Sequence, residues 1–488
     1  MSSPSPSTGA PAPATPTDRA LLTVVVLCFG GMAASLMQTL VIPIQGQLAG
    51  LLDTSPANAS WVVTATLLGG AVTMPVTGSI GDLFGKQRAL VGSSVILLLG
   101  SAICAMSDTL APMLVGRALQ GLAMGFIPVG ISLIREVTPP HLTATGIASM
   151  SATLGVGGAI GLPLSAWIAD GWGWHALFWV SAGLAALMVL STVFLVPHVH
   201  DADGGHFDLV GALGLAAGLV CFLVGVSKAN EWGWDSARTW GAMVGGVLLL
   251  VVWARFELTR DEPLCDLRVT ARRPVLLTNL AAVAVGFGMM AQAIVVPQLL
   301  ELPEATGYGL GQTVLQAGLW MAPGGLMMLF FAPVSARLMR EAGAKATLMI
   351  GAGVLGVGYL MAAFLMDAPW QLLIASCVAS AGVGIGYAAM PTLIMDAVPL
   401  REAGSAVGIN GLMRSIGTTT ASAVMVALLT GSTTTMGGFE LPSKSAFQLC
   451  FFVGAAAAFV GILITALIPR SQDASGVGPV PATAAAAD

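Results

Sequence analysis

Two arginines stand inside long apolar runs of this sequence. Arg117 lies in Arg117-Ala118-Leu119-Gln120-Gly121, and Arg414 follows Asn410 by one helical turn, with Gly417 just beyond. Helical spacing puts Arg117, Gln120 and Gly121 on one face. Other apolar runs carry isolated hydrogen-bonding groups: Gln38 and Thr39, Asn279, and Gln292. Charged and polar groups at membrane depth are costly and mark substrate pathways, proton relays or water-filled cavities. The chemistry open to this set is therefore recognition of a small solute and movement of protons. Two plainer readings stand beside it. Arg117 can snorkel to the nearer interface, and any lone polar side chain can serve as a helix–helix contact.

Acidic residues are distributed differently. The 24 of them fall in tails, loops or the ends of apolar runs, never mid-run. A carrier of lipophilic cations normally needs a midplane carboxylate to hold a proton and attract the cation. Two buried arginines and no buried acid lead to the expectation of a cavity favouring neutral or anionic solutes. Asp82, Glu136 and Asp396, near run ends, remain as proton acceptors.

Such groups need elements to hold them, and composition names the kind. The chain has 488 residues, 56% hydrophobic and 9% charged, with a mean hydropathy of +0.87. All but the shortest of its apolar runs, 241–253, reach the roughly 17 to 25 residues of a membrane helix. They show no two-residue alternation, which argues against a barrel. The fold class expected is an all-α polytopic membrane protein with fourteen transmembrane helices. The runs fall near 20–48, 59–80, 89–106, 110–134, 144–169, 174–196, 209–226, 241–253, 274–300, 309–335, 346–366, 370–395, 403–430 and 446–468. Fourteen of the 19 basic residues then lie on one side, in segments such as 255–273. Lys228, Arg238 and Lys444 lie on the other, leaving Arg117 and Arg414 within spans. By the positive-inside rule both termini are cytoplasmic. Trp172, Trp174, Trp232, Trp234 and Trp240 group on the opposite side as interfacial anchors.

The chain also repeats. Gly121-Leu122-Ala123-Met124-Gly125-Phe126 is echoed by Gly382-Val383-Gly384-Ile385-Gly386-Tyr387, and Gly146 through Gly155 by Gly408 through Gly417, at offsets of 261 and 262 residues. The organisation expected is a tail at 1–19, a six-helix half at 20–196, a loop and inserted helices 7 and 8 at 197–258, a cytoplasmic linker at 259–273, a second six-helix half at 274–468, and a tail at 469–488. Repeat-built transporters bind at the midplane between their halves.

Three short patterns carry more. Gly78, Gly81, Asp82, Gly85, Lys86 and Arg88 form a glycine-punctuated charged turn between helices 2 and 3. Glycines let backbones approach, and the charges can pair in one conformation and release in another. This stretch resembles the loop 2–3 signature of the major facilitator superfamily, with Leu83 and Gln87 where many relatives have basic residues. Arg117-x-x-Gln120-Gly121 is similar to that family's helix 4 motif, whose arginine is linked to proton coupling and substrate binding. Gly155, Gly157, Gly161 and Pro163 resemble the helix 5 motif of its exporters, with Pro163 one place later than usual.

Taken together, the chain resembles the fourteen-spanner drug:H+ antiporter branch (EmrB/QacA-like). That resemblance implies export of small lipophilic compounds, driven by protons through alternating access, in a cell inner membrane and with antibiotic resistance as an outcome. The implied partners are substrate, protons and membrane lipid. Gly85-Lys86-Gln87 fails as a phosphate-binding loop, the helix 5 glycines fail as a nucleotide fingerprint, and no basic tract serves nucleic acid, so no ATP, cofactor or metal is expected. The histidines and aspartates of 198–208 read as a solvated loop. Six scattered cysteines form no disulfide framework. Uptake by symport is the alternative; a membrane-embedded sensor or enzyme would need convergent histidines, serines or acids that the sequence lacks.

Overall fold

A computed structural model describes residues 16–42, 44, 47–198, 206–260, 262–399, 402–436 and 439–469. The expected tails lie almost wholly outside these residues, as does most of the 198–208 loop. Among the described residues fourteen helices are long and apolar enough to cross a membrane. Helices 1 to 6 are Pro16–Thr39, Trp61–Phe84, Lys86–Ala105, Leu110–Val137, Pro140–Trp172 and Trp174–Leu195. Helices 7 and 8 are Leu209–Trp232 and Ala237–Glu257. Helices 9 to 14 are Arg273–Glu301, Val314–Glu341, Gly343–Phe364, Pro369–Ala397, Ala403–Gly431 and Lys444–Ala466.

Packing follows the internal repeat. Helix 1 packs on helices 5 and 6, helix 2 on 4, and helix 3 on 4 and 6. In the second half helix 9 packs on 13 and 14, helix 10 on 12, and helix 11 on 12 and 14. Two seams join the halves, helix 2 against 13 and helix 5 against 10. Small residues let those backbones meet. A methyl group on Gly78 would strike the Gly404 carbonyl, and one on Gly325 would strike Ala159.

Several boundaries depart from the sequence expectation, each for a physical reason. Helix 1 stops at Thr39 rather than running to residue 48; a proline at position 43 has no N–H to continue the ladder. Helices 4 and 12 are not continuous. Helix 4 has a 3-10 turn at Ala123–Gly125, and helix 12 is interrupted at Ala388. Pro128 and Pro391 leave the carbonyls four residues earlier, those of Met124 and Tyr387, without a helical partner. The two breaks fall within a turn of each other in the repeat. The turn between helices 2 and 3 shrinks to Gly85 alone, at φ +99°, a conformation that favours glycine. Asp82 and Lys86 thus ride on helix ends rather than in a loop. Helix 7 runs six residues past its expected end and takes Lys228 with it.

Helices 7 and 8 pack on each other, and helix 7 covers the seam between helices 2 and 13. Leu215, Leu219 and Leu223 meet Ala71 and Leu412 there in a small cluster of their own. Residues 259–272 do not form a free polar linker. Leu264 and Cys265 are buried in the same cluster, and Asp266 caps the short helix Leu267–Thr270 by accepting from Arg268 N and Val269 N. A two-stranded hairpin, Thr433–Met436 with Phe439–Pro442, joins helices 13 and 14. The sequence reading lacks this hairpin, although a threonine run and a glycine pair in that stretch are hairpin signals.

Candidate transport site

One end of the molecule is shut by contacts between the halves. The carboxylate of Asp82, on the last turn of helix 2, accepts hydrogen bonds from Gly404 N (3.1 Å) and Ser405 N (2.8 Å). Those amides open helix 13, where N–H groups lack helical partners and the helix dipole favours an anion. Lys86 Nζ lies 3.8 Å from Asp82 Oδ1 and also pairs with Glu136 of helix 4. Arg135 donates to the Met395 carbonyl and stands 3.9 Å from Asp396 Oδ1. Arg340 Nη1 donates to Thr145 Oγ1 at 3.4 Å. Three cross-half contacts thus sit together at what we term the latch end. Arg88 is exposed and stands outside this cluster; Gly81 packs on Val129.

Away from the latch end a cavity of about 930 Å³ separates the halves. Helices 1 and 5 supply one wall, helices 9, 10 and 12 the other. The cavity reaches the surface beside Ile42, Glu301 and Val314, all exposed. Its lining is mainly apolar, with Met289, Met321 and Met328. Thr39, Gln292, Gln298, Ser380 and Glu301 are polar lining groups, and none of the described lining residues is basic. Gln292 Nε2 is 3.4 Å from the Ser376 carbonyl and 3.5 Å from Ser380 Oγ.

Of the polar residues picked from the sequence as one site, the structure brings only Thr39 and Gln292 to this cavity. Arg117 is 1% exposed, so it does not snorkel. Its guanidinium donates to Val62 O (3.1 Å), Met37 O (3.4 Å) and Gln120 Oε1 (2.7 Å), and Gln120 donates to Ser101 Oγ (2.9 Å). The pair ties helices 1 to 4 together inside the first half. Asn410 donates to Asn279 Oδ1 at 3.0 Å, a buried contact between helices 13 and 9. Arg414 is half-buried with its guanidinium 4.3 Å above the Tyr387 ring. Gln38 is half-buried and lines no part of the cavity. Neither arginine is among the described residues that line the cavity, so the arginines give no ground there for the expected preference for neutral or anionic solutes.

The helix 5 residues do two jobs. Gly155 packs against Met328 of helix 10 and lines the cavity. Gly157 and Gly161 face helix 1, where Ser35 and Thr39 would clash with any side chain. Ser35 Oγ reaches Leu154 O at 2.8 Å, and Thr39 Oγ1 reaches Gly157 O at 3.4 Å. Pro163 lies within the helix, which stays unbroken through Trp172.

The profile described as Major Facilitator Superfamily matches residues 27–422. The chain belongs to that superfamily. It is 27% identical over 381 residues to a multidrug resistance protein B homolog of Mycobacterium tuberculosis (strain ATCC 25618 / H37Rv), covering 76% of this chain and 68% of that one. It is 26% identical over 429 residues to the uncharacterized MFS-type transporter Rv1877 of the same strain, covering 86% of this chain; it spans 61% of that relative's length. Among solved structures, the proton:xylose symporter XylE has a TM-score of 0.66 at 13% identity, covering 93% of this chain and 97% of that one. The fold is shared. This is a multi-pass membrane transporter of the major facilitator fold, and not an enzyme.

Proposed function

We propose that the protein exports small lipophilic compounds in exchange for protons, by rocking its halves about the two seams. The observation that carries this reading is the cavity between the halves, shut at one end by paired polar groups and open at the other. Alternating access needs a closure that can be made and broken as a unit. The positive-inside rule assigns the latch end and both termini to the cytoplasm. The open end then faces outward, the release side for an exporter. Both the helix 5 motif and the multidrug-resistance relative favour export over uptake.

The lining supports a substrate class. Methionine fills irregular space and repacks easily, which suits a site that accepts several ligands. Few of the described lining residues are polar, and the one charged side chain among them, Glu301, stands at the mouth. Neutral and cationic lipophilic compounds therefore fit better than anions. The experiment is proton release from energised inside-out vesicles, challenged with neutral, cationic and anionic lipophilic compounds. Neutral and cationic compounds are expected to dissipate the pH gradient, and Gly158→Phe to abolish the effect. Transport of labelled compound that leaves the gradient untouched would overturn the proton-driven reading.

A further inference from the structure

Helix 7 is fastened to both halves of the molecule at the end away from the latch. Lys228, one turn before the end of the helix, is 2% exposed. Its ammonium donates to Ser60 Oγ at the start of helix 2, pairs with Glu231 Oε2 at 2.8 Å and stands 4.6 Å from the centre of the Trp61 ring. Two residues further on, Asn230 Nδ2 donates to the Ala423 carbonyl of helix 13 at 2.9 Å, and Asn230 Oδ1 accepts from Trp234 Nε1 at 2.9 Å. Helix 2 belongs to the first half and helix 13 to the second, so one turn of an inserted helix holds both.

These attachments lie about 30 Å from the latch, measured along helices 2 and 13. Near the latch the two helices touch directly, from Gly78 with Gly404 to Met74 with Gly411. Farther out, Leu68 and Val72 of helix 2 and Ile416 of helix 13 pack against the cluster that the leucines of helix 7 make. Rocking about the middle of this seam moves its two ends by similar distances in opposite senses. The displacement that parts Asp82 from the Gly404 and Ser405 amides therefore carries a hydrogen bond at the far end past its narrow range of length. The two attachments differ in strength. Lys228 combines a charge-assisted bond, an ion pair and an aromatic face, whereas Asn230 offers helix 13 one neutral hydrogen bond.

We propose that helix 7 is a strap across the seam, and that the Asn230–Ala423 contact holds the latch-closed form and releases as the latch opens. Lys228 keeps helix 7 on the first half meanwhile. The strap rests on the rocking read above; it needs neither export nor protons.

The test is mass-resolved alkylation of the full-length protein in nanodiscs, without substrate, read at two thiols shielded while the latch is shut. Cys265 is 1% exposed at the seam that helix 7 covers. Ala152→Cys places the other in the opposite seam, at a position 1% exposed on helix 5 and on the same face as Gly155 and Ala159. Asn230→Ala should speed both about fivefold, the effect of one net hydrogen bond. So should Asn230→Asp, which keeps the acceptor for Trp234 but loses the donor to Ala423. Faster reaction at Cys265 alone would mean local loosening of helix 7 and overturn the proposal, as would unchanged rates at both. Asp82→Asn separates the two readings. If it speeds both thiols and the Asn230 variants do not, the strap falls and the rocking stands; if it speeds neither, both fall.

Discussion

At Arg117 a full charge is held by carbonyls and an amide rather than by a carboxylate. The planar guanidinium reaches three acceptors on three helices, and a lysine cannot copy that fork. Arg117→Lys and Arg117→Ala should both destabilise the protein, by about 2–4 kcal/mol, since each leaves buried acceptors unsatisfied. The check is the thermal unfolding midpoint in detergent. The ranking of substrates by residual transport should not change, because the side chain does not line the cavity. Glu301 makes the converse case. Glu301→Gln should raise the KM for cationic compounds severalfold and leave neutral ones alone, with stability unaffected. These two residues also mark what sequence can show. An arginine in an apolar run announces that it is buried and paired, but not with which neighbours. Glu301 gave no signal at all, since at a helix end it looks like any interfacial acid.

Helix ends hold the latch. Asp82 caps helix 13 across the seam, and an anion at a partly buried helix N-terminus stabilises by up to about 2 kcal/mol. Asp82→Asn should shift the balance of conformations toward opening at the latch end by roughly five- to thirtyfold. Cys265 offers a readout. It is 1% exposed, burial pushes its thiol up, and the negative charges of Glu257 and Asp82 act in the same direction. It therefore stays protonated through neutral pH and should resist alkylation until the latch opens. Mass-resolved alkylation at Cys265 should be slow in the native protein and faster in Asp82→Asn; equal rates would contradict the latch. The charged turn could be read from its own residues, Gly85 included. Its partner could not, because Gly404 and Ser405 lie more than 300 residues away in sequence and carry no distinctive chemistry. The breaks in helices 4 and 12 are within reach of the sequence, since Pro128 and Pro391 fall within two residues of equivalent places in the repeat.

For the whole molecule, the repeat at offsets of 261 and 262 residues is the strongest statement in the sequence, and the helix contacts inside one half are matched by the equivalent contacts inside the other. The cavity's wall was far less legible. Helical periodicity places a residue on a face, but which face turns to the other half depends on how six helices are rotated against one another. Polar residues inside spans consequently served more often as struts than as lining. Gly158 shows the difference. It lines the cavity, and a Cβ there would meet nothing within 4 Å. Gly158→Phe should block transport by tenfold or more with little change in unfolding midpoint. A block accompanied by unfolding would place the residue in the packing instead.

The direction of exchange is the central claim, and it can be watched directly. In liposomes carrying the full-length protein, internal pH and a labelled lipophilic cation would be recorded together after an imposed pH gradient. Protons and compound moving in opposite directions, both stopped by Gly158→Phe, is the result predicted. Movement in the same direction would make the protein a symporter and contradict the account.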